Sequence, residues 1–204
     1  MICGPDEIGL GAKTDGIMEL PDDAEVGMAG ADYFEINEDT VFEIGLTPNR
    51  SDAMSHIGVA RDLKAVLNSR GDDLKMCLPS IKDFKIDNND LSIDVKIESV
   101  LLCPRYSGVS ISNVKVKESP DWLKHKLLSI GINPINNIVD VTNYVLHETG
   151  QPLHAFDTEK ILGKEIIVKT INKDTNFITL DENKRKLSDN DLMICNAKEP
   201  MCIA

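Results

Sequence analysis

Residues 119–134 read "SPDWLKHKLLSIGINP", and nearly every mark that begins or ends a helix stands in this one stretch. Ser119 can cap, Pro120 suits the first helical position, and Asp121 complements the positive end of the helix dipole in the first turn. Gly131 is a stop, with Pro134 beyond it. A helix is therefore expected here, and the segments on either side are read against it.

Downstream, residues 137–157, "NIVDVTNYVLHETGQPLHAFD", predict a short helix over roughly 141–149 closed by Gly150, then a turn, with Asp157 capping one further helical turn. Beyond it come "EIIVKTI", then "FITL" and "RKLS" joined by the turn "DENK", then "DLMICNA" and "MCIA". All read as strands, two of them as a hairpin. Upstream, "LSIDVKIESV" alternates with Leu91, Ile93, Val95 and Ile97 on one face, and "RYSGVSISNVKVK" resembles a second strand broken at Asn113. Earlier still, "TVFEIGL" (40–46) alternates as a strand and "TPNRSD" turns. A helix capped by Ser51 then carries Ile57, Ala60, Leu63 and Leu67 on one face and ends near "NSRG". The fold class predicted is α+β, with mixed strands and short helices and a strand-rich second half.

The chain has 204 residues, room for one or two cores, since a domain takes about 100–200 residues. With 42% apolar and 27% charged residues, and no apolar run near the roughly 18–20 needed to cross a bilayer, it reads as soluble, with no membrane partner. The start shows neither a basic leader nor an apolar signal core, so a cytoplasmic home is expected. Cys3, Cys77, Cys103, Cys195 and Cys202 are odd in number, widely spaced and never C-x-x-C. That pattern argues against a disulfide framework and a structural zinc site, and predicts reduced cysteines that are mostly packing residues.

Net charge is −12, but residues 1–40 hold eleven acids against Lys13 alone, a net of −10, which leaves −2 for the remainder. A polyanionic partner is thus permitted by the rest of the chain. Lys115, Lys117, Lys124, His125 and Lys126 form one basic segment, and Lys184, Arg185 and Lys186 another, although each can equally be a solvated face. The acidic first part, with turns at "GPDE", "TDG" and "LPDD", reads as loops and short strands without a core of its own.

The chain has no G-x-S-x-G elbow, phosphate loop, G-x-G-x-x-G or H-E-x-x-H. His154 and Asp157, three apart, are conceivable as an acid/base pair or metal ligands without a third ligand nearby, or His154 is a turn histidine satisfying backbone groups. Thr142 and Asn143, near a helix start, can serve local backbone hydrogen bonds or a site.

The wording of three stretches goes further than their periodicity. "FEIGLTPNRSDAMSHIGVARDLKAV" (42–66), "CPRYSGV" (103–109) and "INPINNIVDVTNYVLHETGQPLHAFD" (132–157), with "MICGPDEIGLG" and "TDGIMELP", closely resemble the beta subunits of bacterial phenylalanine-tRNA ligases, in the family's order and over essentially the whole chain. The resemblance implies an internal segment of a longer subunit. Residues 1–35 would end an OB-type tRNA-binding domain, 36–85 would form a strand-helix core segment, and 90–204 would begin the editing (B3/B4) module.

Implied partners are an alpha subunit, in a heterotetramer of two alpha and two beta, and tRNA(Phe). ATP and magnesium serve the whole enzyme at the alpha subunit's aminoacylation site, so neither cofactor nor metal is expected on these residues. The beta module of the family hydrolyses tyrosine wrongly attached to tRNA(Phe), and the need is physical. An apolar pocket rejects a near-isostere with one extra hydroxyl by only about a hundredfold. The editing residues that the resemblance places here are Thr142, Asn143 and His154, in positioning roles around the ester and the attacking water, with tyrosine or phenylalanine as pocket ligand. A glycine-rich loop and a glutamate of the family's pocket fall beyond Ala204, so this segment is not expected to edit alone. The competing reading is a non-catalytic scaffold that docks the alpha subunit and tRNA, with Thr142 and Asn143 buried and bonded to backbone.

Overall fold

The computed structural model describes residues 3–8, 10, 15–34 and 39–204. Two compact units result, Met1–Glu43 and Ile44–Ala204. In the first, a 3-10 turn Pro5–Ile8 is held where Gly4 N–H donates to Glu7 Oε2 at 2.8 Å. Helix α1 (Gly30–Tyr33) ends where the Tyr33 and Phe34 rings meet edge to face at 4.9 Å. Among the described residues this unit has no strand, contrary to the short strands expected, because its apolar pieces never find a ladder partner. Gly9, Gly11 and Lys13 lie outside the described residues.

Residues 40–46 run without sheet pairing, and Phe42 and Ile44 are exposed. The expected strand is corrected here: alternation marks a segment that can pair, but a strand exists only where a neighbour supplies the other half of the ladder. Ser51 does not cap the next helix. It opens a 3-10 turn, Ser51–Ala53, and Ser55 caps helix α2 (His56–Ser69) by accepting from Gly58 N–H at 3.0 Å. Arg50 braces the turn, donating from Nε to Asp52 Oδ1 at 2.9 Å and from Nη2 to Asp62 Oδ2 at 2.5 Å. The helix and its preceding turn touch at Gly58, where a Cβ would sit 2.6 Å from Ala53 Cα and closer still to the Asp52 carbonyl oxygen.

Strand β1 (Asp94–Ile97) is shorter than the alternation suggested, and residues 105–117 form no strand. The second correction has a visible cause. Asn137, at the start of helix α4 (Asn137–Thr149), accepts from Lys117 N–H at 3.0 Å and donates from Nδ2 to Lys115 O at 3.1 Å. Its own N–H donates to Lys117 O at 2.9 Å. A side-chain amide and one backbone group thus take the place a neighbouring strand would have filled.

Helix α3 (Asp121–Ser129) forms as expected, burying Leu123 and Leu127 four residues apart, with Gly131 in the left-handed conformation beyond its end. Ser119 lies outside it and points elsewhere, donating to Asp140 Oδ2 at 2.5 Å. Helix α4 begins four residues before the expected start. Asn136 caps it, accepting from Ile138 and Val139 N–H, and Gly150 closes it at φ 80°.

After a 3-10 turn capped by Asp157 (Thr158–Lys160) come strands β2 (Glu165–Thr170), β3 (Asn176–Ile178), β4 (Lys184–Lys186), β5 (Leu192–Cys195) and β6 (Pro200–Ile203). β3 and β4 form the expected hairpin. The larger sheet runs β1-β2-β5-β6, with β1 parallel to β2 and the other pairs antiparallel. Its centre is covered on both faces. Ile166, Val168 and Ile194 join Ile161 on one side, while Ile167, Met193 and Cys195 join Leu187 on the other. That double burial explains why "IIV" and "MIC" read as continuous apolar runs instead of alternating. The α+β class, with strands concentrated in the second half, is what the chain adopts. No helix among the described residues is long and apolar enough to cross a membrane.

Candidate functional site

The three candidate residues come from two elements. Thr142 and Asn143 occupy successive positions in the middle of α4, both half-buried, and His154 lies exposed in the segment between Gly150 and Asp157. Successive helical residues diverge by about 100° around the axis, so Thr142 and Asn143 project in different directions. Thr142 turns back on its own helix, with Oγ1 donating to Val139 O at 2.7 Å. Its hydroxyl proton is thereby committed and its oxygen lone pairs remain able to accept. Among the described residues no hydrogen bond joins His154 to Thr142 or Asn143.

What positions α4 is a polar clamp. Asp140, two residues before Thr142, is fully buried. It accepts from Ser119 Oγ–H at 2.5 Å and from Ile135 N–H at 2.8 Å, binding the lead-in to α3 and the α3–α4 loop to one carboxylate. On the next turn Trp122 meets Tyr144 edge to face at 5.6 Å, and the Tyr144 hydroxyl donates to Glu148 Oε1 at 3.4 Å. Burial, and then the neighbouring Glu148 carboxylate, push the Tyr144 phenol above its ordinary value.

His154 is placed by two contacts. Its ring stacks on Phe156, centroids 6.3 Å apart and planes 20° from parallel, and Nδ1 lies 3.7 Å from Cys202 Sγ on β6. Phe156 and Cys202 both pack on the apolar cluster around Val168 and Ile194. From sequence Cys202 is expected to be a packing residue. No local signal could have joined it to a histidine 48 positions earlier, because the pair exists only once the sheet has formed. All five cysteines are free, and Cys195 is buried.

A cavity of about 380 Å³ opens where α2 meets the end of α4, lined by His56, Ile57, Ala60, Met76, Cys77, Leu78, Pro79 and Glu148. His56 Nδ1–H donates to His147 O at 3.0 Å and so joins the two helices. None of Thr142, Asn143 and His154 lines this cavity or the smaller one, about 150 Å³, beside the β5–β6 turn. Among the described residues no group of three or more His, Cys, Asp or Glu residues is arranged to hold a metal ion, so His154 and Asp157 gain no third ligand.

Residues 102–204 match the family model described as the B3/4 domain. Across all 204 residues the chain is 53% identical to a phenylalanine-tRNA ligase beta subunit of Bacteroides fragilis and 54% identical to that of Bacteroides thetaiotaomicron, covering 25% of each. The same subunit of Porphyromonas gingivalis is 50% identical over 205 residues, again with 25% of its length covered. The chain thus spans about a quarter of the length of the curated relatives it matches. With strands β2 to β6 and the α3–α4 pair falling inside the matched residues, the chain belongs to the B3/4 domain family.

Proposed function

We propose that this chain acts within the beta subunit of a phenylalanine-tRNA ligase, where it forms part of a hydrolytic pocket that removes tyrosine from mischarged tRNA(Phe). The observation that carries the reading is the similarity to beta subunits, unbroken over all 204 residues. The partners proposed are the alpha subunit, in a two-alpha, two-beta assembly, and tRNA(Phe). ATP and magnesium are assigned to the aminoacylation reaction of the alpha subunit.

The chemistry asked of the pocket is hydrolysis of an ester: water adds to the carbonyl carbon, the carbonyl oxygen takes up negative charge, and the ribose oxygen leaves with a proton. Donors fixed in advance where that charge develops lower the barrier, each contributing about 10²–10³ in rate. Asn143, on a helix locked at Asp140, has the amide to orient the ribose or the water. His154, exposed and held from two sides, has a ring nitrogen to offer the ester.

Thr142 fits the role of strut better than that of catalyst, because its proton is spent on Val139 O. The same bond favours a second reading, a scaffold in which α4 only docks partners. In a complete beta subunit, His154→Ala or Asn143→Ala is expected to let tyrosyl-tRNA(Phe) survive while phenylalanyl-tRNA synthesis persists. Deacylation that continues at the parental rate in both variants rejects editing in favour of the scaffold.

A further inference from the structure

Cys202 and His154 come together through the sheet, not through the chain. β6 carries Cys202 opposite Ile194, so the thiol is half sunk into the cluster formed by Ile161, Ile166, Val168 and Ile194, and Sγ still reaches His154 Nδ1 at 3.7 Å. That separation is ordinary for a hydrogen bond involving sulfur. It leaves two arrangements: the thiol donates to a bare Nδ1, or a protonated Nδ1 donates to sulfur. A thiol is weak both as donor and as acceptor, whereas a bare imidazole nitrogen is a good acceptor, and the geometry is assigned to the first pairing. Burial supports it by pushing the Cys202 thiol up to about 11, which keeps the proton on sulfur at neutral pH. Stacking on Phe156 holds the ring plane while the thiol holds its rotation.

We propose that Cys202 is a positioning residue that fixes His154 as the tautomer with hydrogen on Nε2, so that the exposed nitrogen is a hydrogen-bond donor and not a general base. The role of a histidine follows from which nitrogen its partner occupies. With Nδ1 engaged by the thiol, Nε2–H is the group left to meet a ligand. It suits the carbonyl oxygen of an ester, where charge builds, and does not suit removal of a proton from water. The catalytic part of this inference rests on the editing reading above. The tautomer does not.

The chain itself, labelled with ¹⁵N in its histidine rings, supplies the first test by two-bond proton–nitrogen correlation at a pH well above the ordinary imidazole value of about 6.5. His154 is expected to show a single Nε2–H form in the native chain and in Cys202→Ser, which keeps a donor. In Cys202→Val and Cys202→Ala an Nδ1–H population is expected to appear. An Nδ1–H form in the native chain overturns the proposal whatever the variants do, as does an unchanged distribution in folded Cys202→Val.

The second test uses a complete beta subunit acting on tyrosyl-tRNA(Phe). His154→Ala should slow deacylation by roughly 10²-fold, and His154→Gln, which retains an N–H donor, should recover most of it. Equal loss in both variants points to a base and overturns the donor role. No loss in either, with the tautomer still fixed, rejects the editing reading and leaves the Cys202 contact standing.

Discussion

The centre of the sheet and the α3–α4 pair are equally well buried but are held by opposite means. In the sheet, Val168, Met193 and Ile194 are wholly enclosed by other apolar side chains. In the helical pair, alongside the buried Leu123 and Leu127, the enclosed group at the junction is a carboxylate, Asp140, with its two donors Ser119 and Ile135. Apolar contact is undirected and scales with area, so the sheet tolerates changes of shape that keep volume. A buried carboxylate is directional and depends on every partner it has. The sheet is thereby a platform that can drift in detail, while the position of α4, and with it Asn143, depends on directed polar contacts with Asp140 at their centre.

The sharpest way to break that contrast is Asp140→Ala, which strands the buried Ser119 hydroxyl and takes the acceptor from the part-buried Ile135 N–H, and should lower unfolding stability by about 2 kcal/mol in urea titration. A loss below about 1 kcal/mol would place the junction in the same class as the sheet. Next in size, Ile194→Val removes one methylene from the enclosed core and should cost about 1 kcal/mol, with an unchanged denaturant slope. A collapse on that swap would show the sheet to be as particular as the clamp.

The smallest effect concerns Cys202, which shares the sheet's apolar cluster with Cys103 and Tyr106. Burial raises the Cys202 thiol from its ordinary 9.0 to about 11 in the folded chain. Between those values the unfolded chain holds fewer protons than the folded one, so stability is intact below about 9 and falls as pH climbs towards about 11. Cys202→Ser should flatten that alkaline slope, as read from urea midpoints across the window. An identical slope in both proteins would assign it to other groups.

Legibility in the sequence followed the same division. Elements whose signals are local were readable: α3 by its proline, aspartate and glycine punctuation, α4 by Gly150, and β2 and β5 as the strand-like stretches "EIIVKTI" and "DLMICNA". Boundaries shifted where a cap had competitors. Ser51 lost to Ser55, and Ser119 was drawn away by Asp140. Residues 40–46 and 105–117 carried strand patterns without becoming strands, because pairing needs a partner that alternation cannot supply. Of the site, Thr142, Asn143 and His154 stood out through the resemblance and not through spacing. The bond from Thr142 to Val139 O and the reach of Cys202 to His154 are tertiary facts with no trace in either segment alone.

At Gly58 the limit is purely one of room. The residue lies inside α2, in ordinary helical backbone, so alanine would normally improve the helix by about 0.5–1 kcal/mol. Here a Cβ would press against the backbone of Asp52 and Ala53, which has no rotamer to yield. In a library sampling all twenty residues at each helix position, codon 58 would therefore return glycine alone while its neighbours Ile57 and Val59 return a spread of apolar types. Sequencing the survivors would then locate the crossing of turn and helix with no coordinates in hand.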